Sequence, residues 1–294
     1  MLPPRLQKGD TIGLAAPCWL ATADWARSVS AALEQTGYRV KWADHLCASG
    51  WTYAASREER ISDLNQLIHD ADVRMIFFGG GEGAEDVLDD LDYAAAAASP
   101  KIWLSYSDGT SILNAVHQQT GLITYYGQMP GLMPARTTYD TQQFELHLTH
   151  LGIAHVPAAT WHTICPGRAE GTMIGGYLGN LLLMARSGEV GTPDTPYILF
   201  LEDHERFNGI EALSARIGQL ERAPIMRQVT GILFGHYSSP VNAHLLERLA
   251  RLGKRWGIPI AYCDDFGHGA HHAILPIGAH ATLDTAAHTL HYHW

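Results

Sequence analysis

The chain has 294 residues, with 20 lysines and arginines against 30 aspartates and glutamates, for a formal net charge of −10 with histidine neutral. A composition 46% hydrophobic and 17% charged is that of a globular protein, which excludes a disordered or fibrous chain. The acidic balance, with no Lys/Arg cluster, argues against nucleic acid or an anionic membrane as partner.

The N-terminus, MLPPRLQKGD, is broken by prolines and charges and offers no signal-peptide core, and no stretch approaches the roughly 20 apolar residues of a spanning helix. Thr11 to Ala16 is an apolar run ended by Pro17, as in a buried parallel strand. Trp25, Val29, Ala32 and Leu33 then recur at helical spacing, with Gly37 as the stop, and Tyr38 to Trp42 reads as a second strand. Ser56 and Glu59 form a capping box for a helix that buries Ile61, Leu64, Leu67 and Ile68. Val73 to Phe78 and Ile102 to Leu104 are the next strands. Such alternation predicts a mostly parallel sheet flanked by helices. The rhythm breaks between Pro130 and His155: residues 129–140 read as a loop, Phe144 to Leu151 as a short helix and residues 156–167 as extended chain. A first domain is therefore expected over residues 1–135, a crossover over 136–165 and a second domain over 166–294. In that second part the spacing predicts a glycine-rich helix start at Gly175-Gly176-Tyr177. Strands are expected at Tyr197 to Leu201, Val229 to Phe234 and Ile258 to Tyr262, helices through Leu213 to Leu220 and Ala243 to Leu252, and two alternating strands at the end. Four scattered cysteines, Cys18, Cys47, Cys165 and Cys263, with no Cys-x-x-Cys pair, suit reduced thiols in a cytoplasm better than a disulfide framework or a zinc knot.

Three segments place reactive residues directly after apolar strands, the edge where parallel sheets bind ligands. In Ile102–Thr110 a serine, Ser107, sits in a tight strand-to-helix turn, where free amides and the helix dipole favour a developing oxyanion. It resembles a nucleophile elbow without the full Gly-x-Ser-x-Gly pattern, and Ser or Asp before a helix also serves as a plain cap. Gly79, Gly81 and Ala84 loosely match a dinucleotide fingerprint, but Glu82, Glu85, Asp86, Asp89 and Asp90 would repel a pyrophosphate. A glycine run instead lets backbone amides approach a reacting carbonyl. Third, Glu202 follows one strand and His268, between two glycines, follows another; with Ser107 they make a Ser–Glu–His set. A rival reading takes His268, His271, His272 and His280, with Asp264 and Asp265, as zinc ligands, joined by His288, His291 and His293 from the tail; no His-Glu-x-x-His pair supports it. Another is a binding protein that kept the frame and lost catalysis.

Taken together, several motifs in order resemble the LD-carboxypeptidase family of serine peptidases, which includes cytoplasmic muropeptide carboxypeptidases and microcin C self-immunity peptidases. They are LQKGDTIGLAAPC, GGGEGAEDVLDDLDY, SPKIWLSYSDGTSILNAV, TYYGQM, GGYLGNLL, GTPDTPYILFLEDHE and FGHGAHHAILPIGAHATLD. The resemblance implies an α/β protein with an N-terminal flavodoxin-like parallel sheet and a C-terminal mixed α/β domain, commonly a homodimer, needing no metal and no cofactor. It implies Ser107 as nucleophile, Glu202 as triad acid, His268 as base, and the amides of Gly81 and Asp108 as the oxyanion hole. Gly80, Glu82 and Gly127 fall where substrate is held. The activity implied is cleavage of an L,D-peptide bond in a small peptide such as a murein tetrapeptide, as in peptidoglycan recycling, or hydrolysis of a microcin-like aminoacyl nucleotide. The chain departs from the family where "RGGYG" is common: Gly79 replaces the arginine and Glu82 the tyrosine. An arginine suits a substrate carboxylate, so its loss and an added acid point to altered substrate choice, towards a substrate that presents an amine. Ser105-Tyr106 in place of Gly-Tyr, and the glutamine after Gly127 in place of proline, are milder changes.

Overall fold

The computed structural model describes residues 1–50, 54–128 and 137–294. The chain divides into two compact units, Met1–Leu151 and Gly152–Trp294. Residues 129–136, most of the loop expected after Gly127, lie outside the described residues.

In the first unit the strands β1 (Thr11–Ala15), β2 (Arg39–Trp42), β3 (Val73–Phe78), β4 (Ile102–Ser105) and β5 (Thr124–Tyr126) pair in parallel, in the order β5-β4-β3-β1-β2. This is the doubly wound flavodoxin-like order that alternation of strand and helix predicts. The connecting helices are α1 (Ala23–Gln35), α2 (Arg57–His69), α3 (Tyr93–Ala98) and α4 (Thr110–Thr120). The capping box is present in both halves: the Glu59 amide donates to Ser56 Oγ and the Ser56 amide to Glu59 Oε2. The central strands read as continuous apolar runs because both their faces are buried; Phe77, Phe78 and Trp103 are fully enclosed, each contributing about 1.5–3 kcal/mol by burial.

One expectation is corrected at the end of this unit. Helix α5 spans Thr138–Phe144 and continues as a π-turn over Glu145–Thr149, so the helix starts six residues earlier than the spacing predicts. Its start is a second capping box, Thr137 with Asp140, inside what reads as loop.

The second unit holds a seven-stranded mixed sheet. Its strands are β6 (His162–Cys165), β7 (Arg168–Tyr177), β8 (Tyr197–Glu202), β9 (Val229–His236), β10 (Ile260–Gly267), β12 (His280–Asp284) and β13 (Thr289–His293); a short strand β11 (Leu275–Ile277) precedes β12 and is not part of this sheet. The order is β13-β12-β7-β8-β9-β10-β6. Strands β7 to β10 run parallel, and β6, β12 and β13 pair antiparallel with their neighbours. The helices are α6 (Leu178–Ser187), α7 (Ile210–Leu220) and α8 (Ala243–Trp256). Gly175-Gly176-Tyr177 is the end of β7, with Tyr177 the N-cap of α6, so the glycines belong to the strand that leads into the expected helix: a Cβ on Gly175 would lie 1.8 Å from the Phe200 carbonyl oxygen of the adjacent strand. A buried carboxylate fastens the chain entering this unit. Asp265 accepts from the Ala158 and Ala159 amides, from Trp161 Nε1 and from His155 Nε2, at 2.6–2.9 Å. Burial pushes the Asp265 carboxyl up, but His155 and the other donors overcome that and hold it below the usual aspartate value. Among the described residues no helix is long and apolar enough to cross a membrane.

Candidate active site

Ser107 sits in the turn between β4 and α4, as the sequence predicts, and its backbone is left-handed at φ 54°. A non-glycine residue there costs about 1–3 kcal/mol, and such strain persists only where neighbours enforce it. They do: the Ser107 amide donates to Tyr126 Oη at 3.0 Å, Thr110 Oγ1 donates to the Ser107 carbonyl at 2.6 Å, and the Gly109 amide closes the turn onto the Tyr106 carbonyl at 3.0 Å. Gly109 must be glycine, because a Cβ would fall 2.0 Å from Ser105 Oγ.

The glycine loop after β3 lies against this turn. A Cβ on Gly80 would be 2.4 Å from Ser107 Cβ, and one on Gly81 would be 2.0 Å from the Cys18 carbonyl oxygen. The Glu82 amide donates to that carbonyl at 2.7 Å. Asp108, buried, accepts from the Ala84 amide at 2.8 Å and so ties the loop to the nucleophile turn. Burial first, and then the Asp108 charge, push the Cys18 thiol well above its ordinary value, so it remains a thiol beside that carboxylate. Arg60, a buried cation that sequence reasoning passed over, donates to the Pro17 and Gly83 carbonyls and to Asp86 Oδ2 at 2.8–2.9 Å. Gly127, at the end of β5, donates its amide to the Ser105 carbonyl at 2.8 Å, and the Glu82 residue is exposed. Gly80, Glu82 and Gly81 therefore share one loop beside Ser107, while Gly127 joins from the next strand.

In the second unit Glu202 is the last residue of β8 and is completely buried; His268 directly follows β10. Their side chains meet, His268 Nδ1 lying 2.8 Å from Glu202 Oε2. Gly267 permits the approach: its φ is +98°, and a Cβ there would sit 3.0 Å from Glu202 Oε2. Burial alone pulls the His268 imidazole down, but the charge and hydrogen bond of Glu202, helped by Asp203, outweigh it and hold the ring above the ordinary histidine value. Around the ring stand Phe207, Tyr177 and His204, with centroids 5.2, 5.8 and 6.3 Å away. Behind Glu202, the buried Asp203 accepts from Tyr177 Oη (3.0 Å), Asn208 Nδ2 (2.9 Å), the His204 amide (2.8 Å) and Arg216 Nη1 (3.3 Å). Burial, then the Asp203 charge, push the Tyr177 phenol far up, so it stays a donor.

The histidines behind the zinc reading are dispersed. His280 and His293 face each other across β12 and β13, His293 Nε2 meets Thr282 Oγ1 and His288 Nε2 meets Thr163 Oγ1, each at 2.8 Å. Asp264 pairs with His236 and Asp265 with His155. Among the described residues no group of three or more His, Cys, Asp or Glu side chains is arranged to hold a metal ion. His236 is the histidine beside the site that sequence reasoning missed. The signal was present: Phe-Gly-His closes β9 at His236, and the same three residues close β10 at Gly267 with His268 directly after it.

The chain is similar to known proteins over nearly its whole length. A curated relative from Bacillus subtilis, named "Probable murein peptide carboxypeptidase", is 29% identical over 98% of this chain and 92% of its own length. The microcin C7 self-immunity protein MccF of Escherichia coli is 25% identical over 97% and 93%. The crystal structure of an MccF-like protein from Bacillus anthracis superimposes with a TM-score of 0.90 at 26% identity, covering 99% of this chain and 98% of that one. The models of the LD-carboxypeptidase N-terminal and C-terminal domains match residues 12–127 and 170–283. Between them those two segments span most of the sequence and both units of the fold, and the chain belongs to the LD-carboxypeptidase family.

Proposed function

We propose that this member of a peptidase family is a serine-type carboxypeptidase that cleaves the bond between an L-centre and a terminal D-residue of a small peptide. The observation that carries the reading is the 2.8 Å bond between His268 Nδ1 and the buried Glu202 carboxylate. It is the orienting half of a triad, and the family motif supplies the nucleophile, Ser107. Glu202 fixes the tautomer with Nδ1 protonated, so that Nε2 takes the Ser107 hydroxyl proton as Oγ attacks the carbonyl carbon. The tetrahedral anion rests on the amides of Gly81 and Asp108. His268 then returns the proton to the leaving amine, the C–N bond breaks and an acyl-Ser107 ester remains. Water, deprotonated by the same imidazole, releases the acid and restores Ser107. Glu202 takes no proton in the cycle; its charge stabilises the imidazolium.

A murein tetrapeptide is the substrate class favoured by the relative named as a murein peptide carboxypeptidase. The exposed Glu82 in place of the family's tyrosine, and the buried Gly79 in place of its arginine, support a second substrate class within the same chemistry, a peptidyl or aminoacyl nucleotide that presents an amine. Incubating the purified protein with an L,D-tetrapeptide and, separately, with a peptidyl-sulfamoyl adenylate distinguishes them by which amine is released. Inertness towards both overturns the reading.

A further inference from the structure

The sheet edge that carries Glu202 and His268 also carries an imidazole–carboxylate pair that the reaction leaves unused. His236 ends β9 in register with Gly267 at the end of β10. Its Nδ1 lies 2.7 Å from Asp264 Oδ1, which also accepts from Tyr262 Oη at 2.7 Å; Tyr262 Oη in turn accepts from the Tyr237 amide at 3.1 Å. The register of β10 against β9 slips between Tyr262 and Gly267, the stretch that contains Asp264. His236 is only 8% exposed.

The ring of His236 occupies the place a side chain on Gly269 would need: a Cβ there would lie 2.6 Å from His236 Cγ and 2.9 Å from Nδ1. The turn that bears His268 is therefore held on both sides, by Glu202 against Gly267 and by His236 against Gly269. This matters because Gly-His-Gly is the most conformationally free turn a base could sit on, and a general base must be held within about 0.5 Å of its working position. An apolar side chain could fill the same space, but no hydrogen bond would fix its orientation. The imidazole is locked, by a carboxylate that is itself fixed by a tyrosine.

We propose that His236, oriented by Asp264, is a positioning residue that holds the Gly267–Gly269 turn and thereby keeps His268 bonded to Glu202. The proposal rests on the reading of His268 as general base. The charged and titratable groups facing His268 are Glu202 at the end of β8, Asp203, His204 and Arg206 after it, and Tyr177 at the end of β7; His236 with Asp264 stands against Gly269 of the same turn.

The test replaces His236 with leucine, which fills the space and removes the N–H, and with asparagine, whose amide nitrogen can stand where Nδ1 stood. The His268 ring is titrated by NMR in each protein, and kcat and KM are measured on an L,D-tetrapeptide. Removing a neighbouring imidazole through its charge alone leaves the His268 pKa unchanged or raises it, whereas a loosened turn weakens the Glu202 bond and lowers it. In His236→Leu the His268 pKa is expected to fall and kcat to drop about 10- to 100-fold with KM little changed, the size of an ångström-scale misplacement; His236→Asn recovers most of both. A folded His236→Leu protein with an unchanged or raised His268 pKa overturns the proposal. Should that variant not fold, Asp264→Asn, which changes one atom of the anchor, is read the same way against the same criteria. The NMR readout needs no substrate, so inactivity of the wild-type protein would overturn the base reading while leaving the His236–His268 linkage separately measured.

Discussion

Replacing Gly80 with alanine probes how closely the glycine loop is packed on the serine. The new methyl would lie 2.4 Å from Ser107 Cβ, 3.1 Å from Ser107 Oγ and 3.1 Å from the Tyr106 carbonyl oxygen. Carbon atoms rest at about 3.5–4.0 Å, so the two segments must part by about 1 Å. Neither yields freely. Ser107 is pinned through its amide to Tyr126 and through its carbonyl to Thr110, while the loop is pinned by Arg60 on the Gly83 carbonyl and by Asp108 on the Ala84 amide. Gly80 lies outside the left-handed region, so the effect is steric and carries no backbone penalty. Displacing a nucleophile by about 1 Å costs about 10²-fold in rate, or about 2.7 kcal/mol of transition-state stabilisation. The overpacking destabilises the fold by about 1–3 kcal/mol. The assay is the second-order rate of Ser107 modification by a fluorophosphonate, with chemical denaturation to confirm folding. Gly218→Ala in α7, where the methyl meets nothing closer than Arg248 Nη2 at 3.7 Å, is the control; it should label at the wild-type rate and gain about 0.5–1 kcal/mol of stability. A folded Gly80→Ala protein that labels as fast as wild type refutes the reasoning.

Ser107→Gly should abolish activity and yet stabilise the protein by about 1 kcal/mol in denaturant melts, because it relieves a left-handed serine. Asp265→Asn should cost about 3–5 kcal/mol, since it leaves His155 and three other converging donors around a neutral side chain. The lowered Asp265 pKa adds stability that is present above the unfolded aspartate value and fades as pH falls through the folded one, so the variant should also lose that acid-side dependence. Glu202→Gln should lower kcat by about 10⁴-fold and move the pH limb set by His268 to lower pH, because burial then pulls the imidazole down with Glu202's opposing charge gone. In the wild-type protein the raised His268 pKa means that activity rises with pH through a value above 6.5. The stability it contributes is present below pH 6.5 and is lost as pH climbs through the folded value.

What the sequence made legible was local. Glu202 stands directly after an apolar run, Ser107 two residues after one, and His268 follows a strand that runs through Asp264 and Asp265 to Gly267, beyond the Tyr262 at which the spacing ends it; a strand followed by a polar residue is readable without knowing its neighbours. Ser56 and Glu59 announced α2 in the same way, through a three-residue spacing. The strand β7 was hidden by its own packing. Its buried positions include Ala169 and Gly171, and a Cβ on Gly171 would fall 2.7 Å from the Pro196 carbonyl oxygen, so close approach of the neighbouring chain removed the large side chains that mark an alternating strand. The start of α5 was hidden because its capping box closes with aspartate instead of glutamate, within a loop-like run of Pro, Thr and Gly. The bond between Glu202 and His268 joins residues 66 positions apart, and the contact of His236 with Gly269 depends on the register of β9 and β10. Such contacts are set by sheet order, which no local spacing encodes. Arg60 was passed over for the same reason, since its three acceptors come from segments 23 to 43 residues away.

The most direct measurement is mass-spectrometric mapping of a serine-directed fluorophosphonate on the wild-type protein and on His268→Ala. The account predicts one adduct, on the peptide containing Ser107, that forms on the wild-type protein and fails to form at a comparable rate on the variant. An adduct on another residue, or labelling of Ser107 that is indifferent to His268, would contradict it.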